Sequence, residues 1–393
     1  MSAVPTVNAA FEEARVGPIP PNVPSLTAAL QHGLYRVDRR WGRGYRRLRR
    51  RLGLARPPRI AAYRGYAFGG RARVLGRALE DRGVPAPTEG AGLRRALLAS
   101  WQRYATIELP EAEIEVRWGA QRWQTTLDEE GHLDLVVPLT ASPTPGWHRV
   151  ALSLRHHEAD AEADVLVVDE AARFAVVTDI DDTVIDTNVR HPLDRAAALF
   201  LTDARTRLPF QGAAALYRAL AGRRRPVFYL SSSPWNLYEH LDALFERHAL
   251  PKGPMLLREW GISRHGLAPL GGHAHKAEKL EQLLSHVALP FVLIGDSGQE
   301  DAQHYSAVAE RWPDRVLAIV IRDVGVFGRG VEDARARAER VGVPLFVTED
   351  SGAAARALAG LGLLDEAQVS DVEEGSHAEA QAPSAFAEAL GDD

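Results

Sequence analysis

Phe174-Ala175-Val176-Val177-Thr178-Asp179-Ile180-Asp181-Asp182-Thr183 is the stretch on which the reading of this chain turns. Its first half is a short apolar run rich in β-branched residues, the pattern of a strand buried on both faces. Its second half is acidic. Asp179 and Asp181 stand two residues apart where the strand leaves the sheet, a spacing that lets one carboxylate attack and the other exchange protons.

Downstream, short apolar runs recur at 226–230, 290–294, 315–321 and 344–347, with helical patterns at 212–221, 234–248, 274–286 and 302–312. Such alternation predicts an α/β domain, a doubly wound parallel sheet with helices on both faces. Ligands bind outside the carboxyl ends of the strands in such a sheet. The second run ends in Ser231-Ser232-Ser233-Pro234, where hydroxyls and backbone N–H groups suit phosphoryl oxygens. Ser233 and Pro234 read as an N-cap and first-turn pair that would aim a helix N-terminus at the same point. The third run ends in Gly295-Asp296-Ser297-Gly298-Gln299-Glu300-Asp301. Asp296 faces the crevice of Asp179, Asp301 supports it one turn on, and a few hard carboxylate oxygens suit Mg²⁺. Lys276 lies near a helix start, where a cation neutralises a phosphoryl group. Taken singly, each of these has a plainer reading: a serine cap, an Asp-rich helix cap, a solvated lysine. Together, in this order, they form a phosphoryl-transfer constellation.

Upstream the period changes. Ile114, Val116 and Trp118 alternate with Glu113, Glu115 and Arg117, and Val150, Leu152 and Leu154 alternate likewise. Period two predicts half-buried antiparallel strands, so 58–170 reads as a smaller, sandwich-like β-rich domain with a helix around 92–104. Leu34, Val37, Trp41, Tyr45, Leu48 and Leu52 recur at steps of three and four, making 25–57 a basic amphipathic helix. Residues 1–24, with five prolines, read as a disordered lead-in, 171–364 as the α/β domain, and 365–393 as an acidic disordered tail.

The chain has 393 residues, 46% hydrophobic and 25% charged, ordinary values for a globular protein of two or three domains. With no cysteine, disulfides, thiolate nucleophiles and Cys-based zinc sites are excluded. The net charge of −5 hides an asymmetry: eleven arginines and one acid in 36–59, nine acids and no Lys or Arg in 365–393. No apolar run is long enough to span a bilayer. No basic stretch followed by an apolar core opens the sequence, so the expectation is a cytoplasmic protein without a secretory leader.

The order of motifs over about 172–350 resembles the haloacid dehalogenase superfamily. More narrowly, 178–187, 229–238 and 293–301, with 208–212, 250–254 and 256–260, resemble the catalytic domain of the actin-patch-type phosphatidate phosphatase family, whose bacterial members carry a β-rich N-terminal domain. The sequence departs from it at Ser232, where Asn is expected, and at Gln211, where Pro is usual. Both changes leave the chemistry intact and bear on the substrate. The resemblance implies that Asp179 is the nucleophile and Asp181 the acid and base. It implies Mg²⁺ held by Asp179, Asp296 and the backbone carbonyl of Asp181, with Asp301 assisting. Ser231, Ser232, Lys276 and Thr183 would then bind or brace the phosphoryl group, and Asp182 is read as structural.

The expected function is hydrolysis of a phosphomonoester, in first place a phospholipid such as phosphatidate. A soluble metabolite, a phosphoprotein, or a non-catalytic scaffold that binds lipid or protein are the alternatives. The insert at 188–209 and the segment 250–272 are too short for a full cap domain, which fits a bulky substrate. The arginine-rich helix lies on an anionic membrane or packs on the β-rich domain with a solvated face; nucleic acid ranks below both.

Overall fold

Ala175 to Asp179 form the strand that the sequence predicts, and the α/β domain is built around it. The computed structural model describes residues 51–52, 56–80, 109–180, 212–258, 262–263, 266–267, 273–298, 300–325 and 329–381. The expected lead-in, nearly all of the basic helix, the helix around 92–104, the insert at 188–209, and Asp181, Asp182 and Thr183 lie outside them.

The β-rich domain comprises β1 (Pro58–Phe68), β2 (Arg71–Glu80), β3 (Glu113–Trp118), β4 (Gln121–Thr126), β5 (His132–Pro138), β6 (Gly146–Leu154) and β7 (Asp160–Val167). These form one sheet in the order β4-β3-β6-β7-β1-β2-β5. Its edge strands come together at Gln121, whose side-chain carbonyl accepts from Thr140 N at 2.8 Å. The sheet thus nearly closes, and its two halves face one another across a core of Val74, Val116, Val150, Leu152 and Val165. Pairing is antiparallel except between β1 and β7, which run parallel.

The second sheet holds β8 (Ala175–Asp179), β9 (Val227–Pro234), β10 (Met255–Arg258), β13 (Phe291–Asp296), β14 (Val316–Arg322) and β15 (Leu345–Thr348). Its order is β10-β9-β8-β13-β14-β15, and every pair is parallel. The short pair β11 (Ile262–Ser263) and β12 (Gly266–Leu267) stands apart. The helices are α1 (Ala213–Ala221), α2 (Tyr238–Arg247), α3 (His273–His286), α4 (Asp301–Arg311), α5 (Arg329–Arg340), α6 (Ser351–Gly360) and α7 (Glu366–Gln381). Strand residues alternate between two cores, as period two requires. Val176, Tyr229, Val292 and Val320 pack with α1, α2, α6 and α7. Val177, Phe228, Leu293 and Ile321 pack with α3, α4 and α5.

Two expectations are corrected. Ser233 and Pro234 do not open a helix: both end β9, and α2 begins at Tyr238 after a 3₁₀ turn over Trp235–Leu237. Pro234 is extended, at φ −73° and ψ 153°, and a residue before proline is pushed towards extended backbone, so the strand continues through both. The acidic segment from 365 is not all disordered, because 366–381 form α7. Asp365 Oδ1 accepts from Gln368 N at 2.8 Å, and Gln368 Oε1 accepts from Asp365 N at 3.1 Å. This is a capping box, and Val372 is buried against the α1–α6 side.

The β-rich domain is continuous with the α/β domain. On β2, Ala72, Val74 and Ala78 face the rolled sheet's own core, while Leu75 and Leu79 join the α1–α2 core. On β1 the register slips between Tyr63 and Tyr66. That slip shifts the parity of the strand, so Ala61, Tyr63 and Tyr66 all turn towards the α/β domain. Gly65 lies within the slip, where a Cβ would stand 2.2 Å from Arg73 O.

Candidate active site

Asp179 ends β8 and Asp296 ends β13. These neighbours flank the point where strand order reverses, with β9 on one side of β8 and β13 on the other. That is the crevice where doubly wound sheets bind ligands. Asp301 opens α4, five residues beyond Asp296. Ligand oxygens of Asp179, Asp296 and Asp301 all lie within 4.8 Å of one another.

Lys276 closes the cluster from α3. Its Nζ stands 2.7 Å from Asp179 Oδ1 and 2.8 Å from Asp301 Oδ1. Lys276 is 1% exposed, and Asp179, Asp296 and Asp301 are 0% exposed. Burial alone lowers the pKa of such an ammonium. The charges of Asp179, Asp301 and Asp296 outweigh it and hold Lys276 above its ordinary value, so it is cationic. The other Asp301 oxygen accepts from Asp296 N at 3.3 Å, and Asp296 Oδ1 accepts from Gly298 N at 2.7 Å. Gly295 makes the approach of Asp301 feasible: a Cβ there would lie 2.7 Å from both Cβ and Oδ2 of Asp301.

Ser231 is fully buried on the strand beside β8, one residue past the Asp179–Leu230 pair. Its Oγ accepts from Ser233 N at 2.9 Å, which curls the strand end locally. Ser232 is half-buried. The structure therefore brings together Asp179, Lys276, Asp296 and Asp301, with Ser231 on the adjoining strand. Sequence reasoning passed over Tyr217 on α1, whose hydroxyl lies 2.6 Å from Thr178 Oγ1 just before the nucleophile candidate. It sits in an apolar run of α1, and no polar pattern marks it.

Among the described residues, three buried carboxylates stand against one buried ammonium, a formal charge of −2. Buried charge without compensation is costly. A divalent cation balances it, and an all-oxygen donor set is the kind that Mg²⁺ takes. The residues present fit that ion.

The sequence profile described as "Phosphatidate phosphatase APP1, catalytic domain" matches residues 174–323. An uncharacterized protein of Schizosaccharomyces pombe is 27% identical over 199 residues, which cover 49% of this chain and 33% of that protein. The phosphatidate phosphatase APP1 of Saccharomyces cerevisiae is 27% identical over 154 residues, 38% of this chain and 26% of its own length. The chain thus spans a third or less of the curated relatives it matches. A phospho-aspartyl intermediate analogue of phosphoserine phosphatase aligns over 48% of this chain and 98% of its own at 12% identity, with a TM-score of 0.30, a likeness too slight to carry an argument. Residues 174–323 are thus similar to the family of catalytic domains named for phosphatidate phosphatase APP1.

Proposed function

We propose that the chain is a Mg²⁺-dependent phosphatase that cleaves a phosphomonoester through a phosphorylated Asp179, with phosphatidate as its substrate. The observation that carries the reading is the buried set Asp179, Lys276, Asp296 and Asp301 at the switch point of a parallel sheet. The domain family supports the reaction class, and its name supports the lipid.

Asp179 Oδ attacks phosphorus, and the bond from phosphorus to the substrate's alkoxide breaks. Asp181 gives that alkoxide a proton, then takes one from water, which displaces the phosphoryl group from Asp179 and frees inorganic phosphate. Lys276, cationic throughout, keeps the Asp179 carboxylate ionised and turned towards the crevice. Ser231, Ser232 and Thr183 bind phosphoryl oxygens together with Lys276. Mg²⁺ would be held by Asp179, Asp296 and Asp301, with the Asp181 carbonyl that the family resemblance implies, and when bound would supply charge neutralisation and alignment of the phosphoryl group.

The retained carboxylate set favours an enzyme over a scaffold. Among the described residues no helix is long and apolar enough to cross a membrane. Access to a lipid would fall to the arginine-rich segment 25–57 through peripheral contact with anionic headgroups. The test is phosphate release from phosphatidate in vesicles, lysophosphatidate and soluble phosphomonoesters, with Mg²⁺ or chelator. Phosphatidate turnover lost on chelation is expected. Efficient turnover of one soluble ester with none on lipid overturns the substrate, and no turnover of any ester overturns the reaction.

A further inference from the structure

We propose that the β-rich domain is a positioning element for the phosphoryl-binding side of the site, and that Arg73 and Arg77 of β2 are its arms. Both arginines are nearly buried, at 9% and 5% exposure. They stand four residues apart on the β2 face turned to the α/β domain, about 13 Å along the strand.

Arg77 reaches the element that carries the serines. Its Nη1 donates to Asn236 Oδ1 at 2.6 Å and its Nε to Glu130 O at 3.1 Å. Asn236 lies in the 3₁₀ turn directly after the Ser231–Pro234 end of β9. The residue before it, Trp235, stacks on Tyr63 of β1 at 4.5 Å between ring centroids and 18° between planes. Tyr238 OH, one turn on, accepts from Arg64 N at 2.9 Å.

Arg73 reaches the element that carries the lysine. Its Nη2 donates to Gln282 Oε1 on α3 at 3.2 Å, while its Nε and Nη2 grip Asp134 and its Nη1 donates to Tyr66 OH. Gln282 is six residues beyond Lys276 on the same helix, about 9 Å along its axis. Tyr66 also meets the His286 ring edge-on at 5.1 Å, which ties the far end of α3 to β1.

One strand thus spaces the two elements that hold Ser231 and Lys276. An apolar face alone would join the domains, and Tyr63, Leu75 and Leu79 supply one. Two buried guanidiniums are a poor way to add stability, because their desolvation offsets their bonds. What they add is direction, since a planar guanidinium fixes its partners in angle as well as distance.

The kinetic part of this inference rests on the phosphatase reading; the structural part does not. The experiment uses the full chain and the variants Arg77→Met, Arg77→Lys and Arg73→Met. Lys252→Met serves as a control, since Lys252 bridges the same domains through Asp164 and Trp147 away from both elements. Hydrogen exchange is read by peptide, and turnover of a soluble aryl phosphate is measured alongside. Arg77→Met should speed exchange in 231–238, and Arg73→Met in 276–286, while 291–296 stay protected. Turnover should fall about 10-fold or more through kcat, as small misplacements do. Arg77→Lys should recover part of the loss, and Lys252→Met should leave both segments and kcat as they were. Unchanged exchange in both segments, or a general rise equal to that of Lys252→Met, overturns the proposal. A wild-type chain without phosphatase activity overturns the enzymatic reading, and the exchange data then decide the positioning role by themselves.

Discussion

At Gly295 the absence of a side chain does chemical work. The Asp301 carboxylate occupies the space that a Cβ would take, and Tyr305 closes in behind it, with Cε2 at 2.9 Å from that Cβ position. Gly295→Ala should therefore push Asp301 away from Asp296 and Lys276. The expected result is at least a 10-fold loss of Mg²⁺ affinity in a binding titration, with overpacking costing about 1–3 kcal/mol of stability. Asp179, Lys276, Asp296 and Asp301 were legible in the sequence because each sits at the end of an element whose apolar pattern is local. Arg73 and Arg77 were not. Their side chains meet partners 209 and 159 residues away, and nothing in the local pattern marks those meetings. Ser231 is legible in its place, and the helical segment after it is present, but it opens at Trp235 rather than on a Ser233 cap, because proline's fixed φ serves a strand end as well as a first turn.

At the scale of elements, β1 and β2 escape period-two reading because both of their faces are buried, one in each domain. Helix α7 was obscured by its charge: the Asp365–Gln368 capping box is visible in the sequence, yet the acidic composition dominates it. The interface between β1, β2, β5 and α3 carries two histidines that burial keeps neutral. Burial and the nearby charges of Arg77 and Lys279 lower His132 to about 3. Burial likewise lowers His286 to about 4, against a hydrogen bond that its ring donates to Arg71 O and that raises it, with the charges of Arg71 and Arg73 lowering it further and that of Asp134 raising it. In the unfolded chain both would titrate near 6.5. Below that pH the unfolded state binds protons that the folded state does not, so stability falls as pH drops from 6.5 towards 4 and is complete above 6.5. Each histidine contributes a slope of up to about 1.4 kcal/mol per pH unit. Urea midpoints at fixed ionic strength should fall between pH 7 and pH 5, and His132→Gln with His286→Gln should flatten that fall. An equal fall in the double variant would place the titration elsewhere.

At the scale of the molecule, the two domains share cores rather than a seam. Ala61, Tyr63, Leu75 and Leu79 pack with the α1–α2 side of the parallel sheet, and Tyr66 packs with the α3 side. Unfolding should accordingly be one cooperative event, with tryptophan fluorescence and far-ultraviolet circular dichroism giving coincident urea transitions. Two separated transitions would mean that the domains are independent and that the shared core contributes little. Fold class was readable from alternating runs, whereas the joining of the domains depends on a register slip at Gly65 that no pattern announces. The proposed reaction turns on Asp179 as the oxygen nucleophile at phosphorus. The most direct measurement is acid quench of the full chain during turnover with Mg²⁺, followed by peptide mapping of bound phosphate. A phosphoryl group on the peptide containing Asp179, labile to hydroxylamine and absent in Asp179→Asn, is the predicted result. Steady turnover with no phosphorylated aspartate, or with Asp179→Asn as active as the wild type, would contradict it.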